Sequence, residues 1–131
     1  MNLRHAAALA LLAMIAFSPM RAFGDSAEEL YSACKPIAEA KFEGGLIGLP
    51  QTFQAGECWG AFSALQTLTS YVDPQSRSPW LGELCVPSQA TRSELVAVFT
   101  KYVRDHPERR HDDFVEVALD SFRAAFCKST R

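Results

Sequence analysis

Apolar residues recur every three or four positions in four separate stretches of this chain, the period of a helix that buries one face. In the first stretch Leu30, Ala33, Cys34 and Ile37 share a face, and Ser26-Ala27-Glu28-Glu29 ahead of them has the Ser-x-x-Glu form of a capping box. Pro36 lacks a backbone donor and crowds the preceding turn, which predicts an end or a kink near Lys35. The second helix is predicted to start near Cys58. Cys58, Phe62, Leu65, Thr69 and Val72 form its stripe, Ala61 and Leu68 widen it, and Asp73-Pro74 ends it. Pro87-Ser88 and a second capping box, Thr91-Arg92-Ser93-Glu94, announce a third helix, with Leu95, Val98, Phe99, Tyr102 and Val103 buried and His106-Pro107 as its stop. Asp112-Asp113 opens the fourth, placing negative charge where the helix dipole favours it, and Phe114, Val117, Ala118, Phe122, Ala125 and Phe126 line it up to Cys127. No run alternates in twos, so no sheet is predicted. The expected fold class is all-α, a small disulfide-bonded bundle of about four helices.

Between the first two helices, the stretch from Phe42 to Gly56 holds Gly44, Gly45, Gly48 and Pro50 and reads as a long loop with little regular structure. Its apolar residues, Leu46, Ile47, Leu49 and Phe53, are expected against the core, with a binding loop as the alternative. Gln75 to Gly82 is polar and proline-containing, and Trp80 stands out in it: burial and exposure are equally open for it, and an exposed aromatic is of the kind that anchors interfaces.

The start of the chain has another pattern. A short basic stretch, Met1 to His5, leads into an apolar run from Ala6 to Phe17. Ser18-Pro19 breaks the run, and Ala22-Phe23-Gly24 offers small residues for cleavage. This is the three-part secretory leader, and its run is shorter than the roughly 20 residues a membrane span needs. Residues 1–24 are therefore expected to be a signal peptide and 25–131 the exported domain. Cleavage there removes Arg4 and Arg21 and no acid, which moves the formal charge from −2 to −4. That acidity argues against nucleic acid or an anionic membrane surface as a partner and is compatible with a basic protein.

All four cysteines follow the leader, and an even number in an oxidising compartment reads as disulfides. Cys34, Cys58, Cys85 and Cys127 are too widely spaced for a zinc site. Three connectivities are possible, and helix geometry favours one. A short turn between the third and fourth helices sets them antiparallel, which brings Cys85 beside Cys127. If the loop folds back, Cys34 meets Cys58. Catalytic chemistry is not legible. His106 and His111 fall in helix-end and turn contexts, the serines carry no motif, and the glycines around Gly44 lack the lysine of a phosphate loop. A metal set of His106, His111 and Asp112 is conceivable, but no cofactor is called for.

Cys85-Val86-Pro87, then Glu94 to Phe99, Lys101-Tyr102-Val103, His106-Pro107-Glu108, Phe114 to Phe122 and Ala124-Ala125-Phe126-Cys127 together form a pattern. It resembles the Rap/Tai family of immunity proteins, associated with type VI secretion amidase toxins. Upstream, Cys58-Trp59-Gly60 is similar to that family's Cys-x-Gly at a helix start, and Cys34 to its first-helix cysteine. The family's aromatic three residues after the second cysteine, and its glycine three beyond that, are here Ala61 and Ala64, with Phe62 next to the vacated aromatic position. The resemblance implies a helical protein of the Gram-negative periplasm, not an enzyme, that binds and blocks a peptidoglycan-cleaving amidase; a homodimer is implied by the same analogy. Trp80, Phe53 and Arg77 are the candidate partner-binding residues. The alternative reading is a general periplasmic binding or acid-stress protein without a toxin partner.

Overall fold

Four α-helices make up the described fold, and each begins on a side chain that caps it. The structure is a computed structural model that describes residues 25–40, 42–43, 46–71, 81 and 83–127. The leader segment, Val72, Arg77 and Trp80 lie outside those residues. Helix α1 spans Ala27–Ala38, α2 Phe53–Thr69, α3 Arg92–Asp105 and α4 Phe114–Phe126. Both predicted capping boxes are present. The Ser26 backbone N–H donates to Glu29 Oε2 at 2.8 Å, and the Thr91 N–H to Glu94 Oε2 at 2.7 Å. Thr52 accepts from the Ala55 N–H at 3.1 Å, and Asp113 accepts from Val115 and Glu116. Each cap satisfies donors that the first turn of a helix leaves without partners.

The end of α1, both ends of α2 and the stretch between the two helices differ from expectation; α2 stops at Thr69, with Ser70 as its C-cap, short of the expected end at Asp73-Pro74. Helix α1 runs past Pro36 to Ala38. The missing donor costs one bond in the last turn, while buried Ile37 and Cys34 hold that turn against the core. Helix α2 starts at Phe53, five residues before the expected Cys58, because Thr52 caps it. A minimal antiparallel hairpin pairs β1 (Phe42–Glu43) with β2 (Leu46–Ile47), where no sheet was expected. Gly44-Gly45 between the strands is a composition that two-residue hairpin turns favour.

Helix α3 packs against all three others, which explains its wide buried face. Leu95, Phe99 and Val103 are buried as the periodicity required, and Val96 and Thr100 join them, while Val98 and Tyr102 are only half-buried. Thr100 and Ser121, buried polar residues of this core, each bond a carbonyl of their own helix, at 2.9 Å to Val96 and 2.7 Å to Ala118. Phe62 sits at the centre, fully buried, with Phe99, Phe114 and Phe122 around it at ring separations of 5.5, 5.6 and 6.4 Å. The aromatic displaced to position 62 thus fills the middle of the bundle.

Two sulfur bridges staple the helices. Cys34 is bonded to Cys58, joining α1 to α2, with Cα atoms 5.2 Å apart. Cys85 is bonded to Cys127, joining the segment before α3 to the end of α4, with Cα atoms 5.1 Å apart. Cys85 adopts a left-handed φ of 54°, which a residue with a Cβ seldom takes.

Candidate interaction surface

The turn between α3 and α4 is tied to the start of α1. The Ala27 N–H donates to the Asp112 carbonyl at 2.9 Å, the Glu28 N–H to the Arg110 carbonyl at 2.9 Å, and the Phe114 N–H to the Asp25 carbonyl at 3.0 Å. Arg110 adds side-chain contacts across the same seam. Its Nε is 3.3 Å from Glu28 Oε2, an ion pair without hydrogen-bond angles, and its guanidinium lies 5.3 Å over the Tyr31 ring. One residue earlier, Arg109 reaches along α4. It donates to Asp112, to Glu116 at 3.1 Å and to Asp120 at 3.2 Å. The Asp112 bond above all raises its pKa still further above the ordinary arginine range, so the charge is permanent. The signal for these contacts in the sequence is the spacing of the acids: Glu116 and Asp120 lie four apart on one face of α4, and Asp112 lies four before Glu116, just ahead of the helix.

These contacts decide what the histidines do. His106 ends α3 with its ring 4.3 Å from that of Tyr102 and Nδ1 3.1 Å from Glu108. Asp112 is engaged by Arg109, and His111 is exposed. Among the described residues no group of three or more His, Cys, Asp or Glu side chains is placed to hold a metal. Trp59, half-buried, packs on the core and carries the Arg92 guanidinium 4.6 Å above its ring.

Of the three candidate partner-binding residues, Phe53 falls within the described structure. It is 81% exposed at the first position of α2, so the expectation that it would lie against the core is corrected. A residue at that position projects beyond the bundle, and the stripe that packs inward begins two residues later with Ala55. Leu49, from the same stretch, does pack on the core. Beside Phe53 a hollow of about 450 Å³ separates the starts of α1 and α2. Asp25, Glu28, Glu29 and Glu57 line it, with Gln54 at its edge and no cationic side chain in its wall. An exposed phenyl ring next to a wall of carboxylates can seat an apolar residue and a cationic one side by side. A second, smaller groove of about 260 Å³ runs between α3 and α4, lined by Val98, Tyr102, Ala124 and Ala125 and edged by Lys101 and Asp105.

No helix among the described residues is long and apolar enough to cross a membrane. No curated protein and no solved structure matches the chain. The profile of the Rap1a immunity proteins matches residues 26–127, which takes in all four helices and both bridges. The chain belongs to the Rap1a immunity proteins.

Proposed function

We propose that this protein is exported to the periplasm, where it binds a peptidoglycan amidase delivered by type VI secretion and blocks it. The observation that carries this reading is the family match across 26–127, over a bundle closed by two disulfides. The leader pattern of residues 1–24 and the paired cysteines fit an oxidising compartment outside the cytoplasm. Inhibition of this kind needs no chemistry from the inhibitor. It needs a surface already held in its binding shape, because ordering side chains and loops on contact reduces affinity. A stable complex buries about 1,600 Å² in total and draws most of its energy from a few anchors. Phe53 with the carboxylate hollow beside it, and Trp80 and Arg77 from the sequence ahead of α3, are the proposed anchors.

The test is protection. Cells expressing the amidase encoded beside this gene in the periplasm survive when the protein is co-expressed, and the two purified proteins co-elute. Phe53→Ala leaves the thermal midpoint unchanged, since the ring is exposed, and weakens binding by about tenfold or more. Equal lysis with and without the protein, together with failure to co-elute, sinks the proposal for that pair.

A further inference from the structure

We infer that the two disulfides are chemically distinct, and that Cys85–Cys127 is a site of thiol–disulfide exchange for a dithiol reductant while Cys34–Cys58 is closed to it. The assignment is independent of any toxin. Cys34 and Cys58 are both 0% exposed, sealed between α1 and α2. Cys85 is exposed and Cys127 half-buried at the rim of the bundle, where α4 ends. An attacking thiolate has to approach a sulfur along the S–S axis, so access controls the rate. The backbone adds to the difference. Cys85 is held at φ 54°, a conformation that relaxes once the bond no longer fixes it, which favours the opened form.

The step is a two-electron exchange. A thiolate of the reductant attacks Sγ of one cysteine and forms a mixed disulfide. The other cysteine leaves as a thiolate and takes up a proton. The second thiol of the reductant, deprotonated, then attacks the reductant's own sulfur in the mixed disulfide, breaking its bond to the protein and expelling the second cysteine as a thiolate, which takes up the proton released. The protein is left with two thiols and the reductant becomes a disulfide, having given up the two electrons that the bridge receives. Opening frees the last turn of α4, around half-buried Phe126, from the segment that leads into α3. Buried Leu84 still pins that segment, and Cys34–Cys58 still ties α1 to α2.

The oxidised, processed full chain is incubated without denaturant in graded dithiothreitol, quenched with an alkylating agent and mapped by peptide mass spectrometry. Cys85 and Cys127 are expected to label at least roughly tenfold faster than Cys34 and Cys58. One common rate for all four, or earlier labelling of Cys34 and Cys58, overturns the inference, since either means that the bridges open through unfolding of the core. The double variant Cys85→Ser, Cys127→Ser is expected to keep its far-ultraviolet helix signal and its remaining bridge. If it unfolds, the outer bridge is a requirement of the fold rather than an exchangeable clasp, and the inference fails.

Discussion

Phe62 touches three rings from two other helices, and Phe99 and Phe114 meet each other at 5.3 Å and 90°. Such edge contacts add to the burial of each ring. Phe62→Ala should therefore cost about 3–5 kcal/mol in denaturant unfolding, and a loss under about 1 kcal/mol would mean that the cluster does not hold the core. The caps give a prediction in pH. Glu29 and Glu94 are held below their ordinary value of 4.5, chiefly because the backbone N–H groups of Ser26 and Thr91 bond their ionised forms. A depressed carboxylate stabilises the fold fully above the unfolded value and loses that contribution as pH falls through the folded one. Unfolding midpoints should thus decline below about pH 4.5, and less steeply in the double variant Glu29→Gln, Glu94→Gln. An equal slope in both proteins would remove the caps as its source. Both caps were legible because capping is local and the residues lie three apart. Phe53 was misplaced for the opposite reason. Residue type alone says apolar, and only the position of the helix start says which way the ring points.

Helix starts were read well where a box marked them and late where a lone threonine did the work, as at Thr52. Pro36 predicts an end or a kink because the rule for helix interiors is severe. In a last turn the penalty shrinks to one unmade bond, and a bridge at Cys34 two residues before it outweighs that. Helix α2 also contains two glycines, Gly56 and Gly60, and a Cβ built on either meets nothing within 4 Å. Gly60→Ala should raise stability by about 0.5–1 kcal/mol, because the unfolded chain loses freedom while the helix gains no clash. A destabilised Gly60→Ala would reveal a contact at that face that the isolated chain does not show. The tie between the α3–α4 turn and the start of α1 was not legible at all. Its hydrogen bonds run from backbone to backbone between residues far apart in the chain, and backbone bonds leave no mark in residue type; the Arg110 contacts follow from the placement those bonds set.

As a whole the molecule is two pairs of helices, each stapled, closed on one another through α3. By the loop-entropy argument each bridge contributes about 3–4 kcal/mol, a large part of the roughly 5–15 kcal/mol available to a domain. Replacing Cys34 and Cys58 together by Ala should cost about 3–4 kcal/mol and lower the thermal midpoint. A smaller change than about 1 kcal/mol would show that burial, not the covalent link, holds α1 to α2. The antiparallel placement that sets Cys85 near Cys127 needed only a short turn and two helix ends. Partner contacts were the least legible part, because recognition depends on which side chains happen to share a surface. The seam from Asp25 to Phe114 has a consequence for synthesis. The first two backbone donors of α1, Ala27 and Glu28, find their partners in residues made near the end of the chain. During synthesis α1 can therefore gain its bridge to α2 early, but the seam itself closes only once the residues from Arg110 to Phe114 have been made.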